Sequence, residues 1–192
     1  MLRLFVALPL PDPIRQQLNL LQFLLPLPRR VPPENLHLTL AFLGEIPTDL
    51  AEDAHHALEA IRAPAFALTL AGVGAFGEAQ PRLVYAGVRP ALELDHLHRK
   101  VDTALRRAGA APERRRFHPH VTLGRFDPRS VDRPRLAAAM VANDSFAAGP
   151  FTVESFALYR SQLGREGAHY EELARYPLTP TAKAPQATAL PG

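Results

Sequence analysis

Apolar positions along the chain fall into two periods, and the alternation between them outlines the fold. Leu2 to Leu8, apolar but for Arg3, is a run of strand length, stopped by Pro9, Pro11 and Pro13. Beyond it, Ile14, Leu18, Leu21 and Leu25 recur every three or four residues. That is the period of a helix with one buried face, with Asp12 as its cap and Pro13 at its first position. Pro26 to Pro33 breaks the pattern. Period two then appears: Leu36, Leu38, Leu40 and Phe42 on one face, His37, Thr39 and Ala41 on the other. This predicts a strand over Leu36–Leu43, ended by Gly44 and Pro47.

The same reading gives a helix from Thr48 or Asp49 to about Ile61, a strand over 65–71, and a connection carrying Gly72, Gly74 and Gly77. A strand over Arg82–Val88 follows, then a helix from Pro90 that stops before Gly109, which suits a helix C-terminus. His120–Phe126 reads as a strand. Asp132 and Pro134 open an alanine-rich helix to about Ala142, and strands are expected over Phe151–Arg160 and Glu171–Leu178. Some strands follow one another directly, so the order is not that of a doubly wound sheet. The expected class is α+β with mostly antiparallel pairing. Residues 1–178 form one domain in this reading, and 179–192, rich in Pro, Ala and Thr, form a disordered tail.

Composition narrows the chemistry. The 192 residues include no cysteine, which excludes thiol catalysis, disulfides and thiolate metal sites. No stretch reaches the roughly 20 apolar residues that span a bilayer, and Met1–Leu10 lacks the features of a signal peptide. The cytoplasm is the expected location. The net charge of +3 leans weakly towards an anionic partner. Neither a Gly-x-Gly-x-x-Gly nor a Walker loop is present, so nothing points to a dinucleotide or ATP cradle.

One motif occurs twice. His37-Leu38-Thr39-Leu40 and His120-Val121-Thr122-Leu123 share the pattern His-apolar-Thr-Leu, each on a strand-like segment. Residues i and i+2 of a strand share a face, so each copy presents an imidazole and a hydroxyl together while the apolar residue between them anchors the pair. Two copies lining one cleft offer two imidazoles and two hydroxyls to one small anion. Histidine titrates near neutrality, so one ring can take a proton from a nucleophile while the other gives one to a leaving oxygen. The threonine hydroxyls can donate to the non-bridging oxygens of a phosphate. No metal or cofactor is required. Two other readings fit the same residues: a binding module for nucleotides or RNA ends that has no activity, and a hydrolase whose metal is held by His37, His118 and His120. The remaining histidines, among them His55, His56, His96, His98 and His169, read as solvated surface.

These stretches, together with Arg3–Leu8, Asn35–Glu45, Pro81–Val88, Phe117–Arg125, Leu158–Leu163 and Gly167–Tyr170, resemble the 2H phosphoesterases. Within that superfamily they are similar to the bacterial and archaeal RNA 2',3'-cyclic phosphodiesterases, also called 2'-5' RNA ligases. The resemblance implies a bilobal fold: two lobes of antiparallel sheet related by a pseudo-twofold axis, helices outside, a central cleft. It implies metal-independent opening of a 2',3'-cyclic phosphate at an RNA 3' end to leave a 2'-phosphate, and ATP-independent, reversible 2'-5' ligation. His37 would be the general acid and His120 the general base, with Thr39 and Thr122 binding phosphate. Phe42 and Arg125, each five residues after a motif histidine, would lie near the terminal base. Strict alternation, however, puts Phe42 on the face opposite His37. Arg29, Arg30 and Arg114–Arg116 would contact the RNA backbone. Tyr85 stands where relatives often carry tryptophan. RNA 3' ends, tRNA fragments among them, would be the partners of a monomer.

Overall fold

The computed structural model describes residues 1–77, 80–113, 116–164 and 167–180. In chain order the elements are β1 (Leu2–Pro9), α1 (Asp12–Leu24), β2 (His37–Ile46), α2 (Thr48–Glu59), β3 (Phe66–Phe76), β4 (Leu83–Val88), α3 (Leu92–Arg107), β5 (His120–Arg125), α4 (Arg133–Ala142), β6 (Ala147–Val153), β7 (Ser155–Gly164) and β8 (Gly167–Pro177). The eight strands form one sheet in the order β6-β3-β4-β5-β2-β1-β7-β8, with antiparallel pairing between neighbours. The fold is α+β, with helices flanking the sheet, and it is bilobal.

The two motif strands sit at the centre. Counting outward, β5, β4, β3 and β6 mirror β2, β1, β7 and β8, so the repeated motif belongs to a repeated half-sheet. The halves join through a single pair between β2 and β5, Leu38 opposite Val121. They also meet at their margins. Glu154 alone separates β6 from β7, and its carbonyl accepts from Leu178 N at 2.8 Å. Thr179 N donates to Ala63 O at 2.9 Å.

Helices α1, α2 and α3 each bury one stripe. Leu94, Leu97, Val101 and Leu105 of α3 follow helical spacing and are at most 1% exposed. Each such side chain contributes roughly 2 kcal/mol by leaving water. Helix α3 packs on β2 of the opposite half, and α1, which follows β1, packs on β5 and β6. Helices α1 and α3 thus cross between halves and tie the lobes together. Caps match the local sequence: the Asp132 side chain accepts from Arg135 N at 3.0 Å at the start of α4, and Gly109 takes φ +81° just past α3. Asp12 lies inside the first turn of α1 and not at its cap, and there it pairs with Arg15.

Three strand expectations need correction. The glycine-bearing segment after residue 71 is not a connection: β3 runs on to Phe76, because β4 pairs with it through Phe76 opposite Leu83. Gly74 lies under the Tyr85 ring, where a Cβ would come within 2.4 Å of the ring carbon. The single strand expected over Phe151–Arg160 is two strands that change partners at Glu154, Val153 pairing with Phe66 and Ser155 with Pro177. The last strand begins at Gly167, as half of a hairpin with β7.

Candidate active site

Register brings the four motif side chains together. With Leu38 opposite Val121 in an antiparallel pair, His37 aligns with Thr122 and Thr39 with His120. Each histidine therefore faces the threonine of the other copy. The two histidines lie across the diagonal, where neighbouring residues are roughly 7–8 Å apart. Leu38 and Val121 are fully buried and anchor both copies from behind.

Both imidazoles are oriented in the same way. His37 Nδ1 donates to the carbonyl of Asn35 at 2.7 Å, and His120 Nδ1 donates to the carbonyl of His118 at 2.7 Å. A carbonyl two residues upstream thus holds the proton on Nδ1 and leaves Nε2 of the neutral ring as an acceptor. The Thr39 hydroxyl donates to Nε2 of His37 at 3.1 Å. Aromatic rings wall each histidine. Phe5 and Tyr170 lie 4.8 and 5.2 Å from His37, and Phe76 and Tyr85 lie 5.0 and 5.3 Å from His120. Burial pushes the His37 pKa down to about 4; the Asn35 carbonyl opposes this, and the positive charges of Arg125 and His120 add to it. His37 is therefore neutral at pH 7.

Phe42 and Arg125 enter the cleft through matched β-bulges. In the pairing of β1 with β2, Val6 is opposite Ala41 and Ala7 opposite Thr39, so Leu40 is an extra residue. In the pairing of β4 with β5, Val84 is opposite Gly124 and Tyr85 opposite Thr122, so Leu123 is extra. Each bulge falls three residues after its histidine and shifts the alternation by one. Ala41 turns inward, and Phe42 comes to the His37 face, contrary to the face that strict alternation assigns it. Phe42, Arg125 and Thr39 line two adjoining cavities. One, of about 420 Å³, also takes in His37, Thr122 and Tyr170. The other, of about 1070 Å³, takes in His120, Arg82, Arg116 and His98. Arg3 lies 5.2 Å over the Phe42 ring.

The outlying candidates are placed as follows. Arg116 borders the larger cavity; Arg114 and Arg115 fall outside the described residues. Arg30 lies 4.3 Å over the Phe23 ring. The nearest approach to a side chain added at Gly167 is the Arg29 guanidinium, which sets Arg29 beside the β7–β8 hairpin. Tyr85 reaches Nε2 of His118 at 3.2 Å, so His118 turns towards Tyr85, and its ring lies 6.2 Å from that of His120. Among the described residues, the three side chains close enough to share a metal ion are His55, His56 and Glu59 on α2. His98 is not solvated surface: it is half-buried, bonded to Leu40 O at 3.0 Å and stacked on Phe117 at 3.8 Å. Sequence reasoning assigned no role to Phe76 or to the carbonyls of Asn35 and His118. The carbonyls had a signal, since each precedes its histidine by two residues.

The profile of the 2'-5' RNA ligase superfamily matches residues 10–165. The chain belongs to this superfamily. Within it, the chain is 35% identical over 181 residues to the RNA 2',3'-cyclic phosphodiesterase of Escherichia coli K12, covering 92% of this chain and 97% of that one. It is 35% identical over 147 residues to the protein of the same name from Aeropyrum pernix, covering 76% and 83%. The solved structure of E. coli LigT complexed with 3'-AMP superposes with a TM-score of 0.76 at 33% identity, covering 93% of this chain and 98% of that one. The superfamily match spans both motif strands and the bulges that follow them.

Proposed function

We propose that the chain is a metal-independent RNA 2',3'-cyclic phosphodiesterase that opens the cyclic phosphate to a 2'-phosphate with His37 as general acid and His120 as general base. The observation that carries this reading is the square of His37, Thr122, Thr39 and His120 set by the Leu38–Val121 pair. Its relatives in E. coli and A. pernix bear that enzyme's name.

The chemistry follows from the Nε2 nitrogens, which the Nδ1 bonds to carbonyls leave as proton acceptors. His120 Nε2 takes a proton from water as its oxygen attacks phosphorus. The P–O3' bond breaks opposite, and protonated His37 Nε2 gives its proton to O3', leaving a 3'-hydroxyl and a 2'-phosphate. His37 is neutral at pH 7, so its proton arrives with the substrate, whose negative charge offsets the burial penalty. Protonation of Nε2 also releases the Thr39 hydroxyl from that nitrogen. Thr39 and Thr122 are then free to donate to the non-bridging oxygens, where charge gathers in the transition state. With a 5'-hydroxyl of RNA in place of water as the nucleophile, the same groups supply ATP-independent 2'-5' ligation.

Phe42 and Arg125 offer flat faces for the terminal base, and stacking on such faces tolerates any base. The partners in this proposal are RNA 3' ends with a cyclic phosphate, tRNA fragments included. Because both half-sites lie in one chain, a monomer in the cytoplasm suffices. No helix among the described residues is long and apolar enough to cross a membrane. The test is incubation with 2',3'-cyclic AMP in excess EDTA, with phosphorus NMR of the product. The expected product is 2'-AMP alone. A 3'-phosphate product, or activity that EDTA abolishes and zinc or manganese restores, contradicts the proposal.

A further inference from the structure

We infer that Gln22 and His98 are positioning residues: each clasps the carbonyl of a bulged leucine and so holds the strand shape that turns Arg125 and Phe42 into the cleft. The inference rests on the reading that Arg125 and Phe42 contact the terminal nucleoside.

A bulge leaves its extra residue out of the ladder, so that residue's backbone groups need other partners. Leu40 and Leu123 are 3% and 0% exposed, and water does not serve buried carbonyls at little cost. Leu123 O accepts from Val31 N, outside the ladder, at 2.8 Å, and the fold adds a side-chain donor at each of the two carbonyls. Gln22 Nε2 donates to Leu123 O at 2.7 Å and to Val31 O at 2.8 Å. His98 Nδ1 donates to Leu40 O at 3.0 Å. The two donors come from different helices, yet they land on equivalent atoms, the carbonyl three residues after each motif histidine. They also cross between halves. Helix α1, which follows β1, reaches the bulge of β5, while α3, which follows β4, reaches the bulge of β2.

Neither residue is what packing alone would choose. Gln22 is 1% exposed and shares the buried face of α1 with Ile14, Leu18 and Leu21. Its Oε1 has no hydrogen-bond partner among the described residues, so an apolar side chain of equal size would sit there at lower desolvation cost. What the amide adds is the pair of bonds from Nε2. The His98 ring is held flat against Phe117, with an interplanar angle of 6°. Phe117 in turn lies three residues before His120. Without the clasps, β2 and β5 lose a restraint against reverting to plain alternation, in which the fifth position after each histidine turns to the opposite face.

The experiment is a pair of double-mutant cycles read by steady-state hydrolysis of 2',3'-cyclic AMP: Gln22→Met with Arg125→Ala, and His98→Leu with Phe42→Ala. Leu123 O keeps its bond from Val31 N (2.8 Å) when Gln22 is replaced, which favours a folded variant, and the His98 cycle stands independently. Each clasp variant should raise KM about tenfold, as misplacement of a binding group does, with kcat nearly unchanged. In the Arg125→Ala or Phe42→Ala background the same change should add nothing. His98→Gln, which restores an amide donor, should recover most of the loss. Effects that multiply in both backgrounds, or a His98→Gln variant as impaired as His98→Leu, overturn the inference. If Arg125→Ala and Phe42→Ala leave KM unaltered, the nucleoside-contact reading fails. The crystal structure of Gln22→Met then decides the clasp by itself: Arg125 turned out of the cleft supports it, and an unchanged bulge with Arg125 in place refutes it.

Discussion

Acid should weaken the fold through His37 by an amount set by its surroundings. Its folded pKa of about 4 lies below the ordinary value of 6.5, so between those two values the unfolded chain binds the proton and the folded chain does not. Stability is therefore fully present above pH 6.5 and falls as pH drops towards 4. The two pKa values give a loss of about 2 kcal/mol between pH 7 and pH 5 from this one side chain. The assay is urea unfolding at both pH values for the unaltered chain and for His37→Gln, whose amide does not titrate. Subtraction cancels the other titrating groups, which the two proteins share. The unaltered chain should lose about 2 kcal/mol more than the variant. Equal losses in the two proteins would show that His37 is not desolvated as its aromatic wall implies, and the proton-uptake step would lose its basis.

Binding of 2'-AMP near pH 6.5 should draw a proton from solution, because the phosphate raises the pKa of His37. Calorimetry in buffers of different ionisation enthalpy measures this, and an enthalpy independent of buffer contradicts it. Thr122→Val, which removes one hydroxyl donor at the phosphate, should lower kcat roughly a hundredfold with the fold intact; a drop in affinity alone would place Thr122 in ground-state binding. Arg125→Ala should raise KM for 2',3'-cyclic AMP by about tenfold or more while kcat holds, the signature of lost stacking. Gly124→Ala would put a Cβ 2.7 Å from the Arg29 carbonyl. It should cost about 2 kcal/mol in urea unfolding, and a neutral result would mean that the loop before β2 is free to move aside.

The chemistry was more legible in the sequence than the geometry that delivers it. The His-x-Thr repeat announces itself because period two fixes which side chains share a face, and that rule holds for His37 with Thr39 and for His120 with Thr122. It fails one step later. A bulge depends on which hydrogen bonds the neighbouring strand and helix can supply, so the inward turn of Ala41 and the placing of Phe42 need β1 and α3, far away in sequence. The same holds for Gln22, which in its own segment looks like a polar interruption of a leucine stripe. The extension of β3 through Gly72 and Gly74 was hidden by glycine's poor strand propensity, which the Tyr85 ring packed over Gly74 overrides. The change of partner at Glu154 left no local mark, since both sides of it are good strand sequence. The helices were readable to within a few residues because each carries its own period and stop signals.

Single-turnover hydrolysis of 2',3'-cyclic AMP in EDTA by the unaltered chain, His37→Ala and His120→Ala addresses the central claim most directly. Each variant should fold and still bind 2'-AMP, and each should lose at least about a hundredfold in the rate of the chemical step, since general acid and general base each contribute about that much or more. A variant lacking either imidazole that turns over at the unaltered rate would contradict two-histidine catalysis.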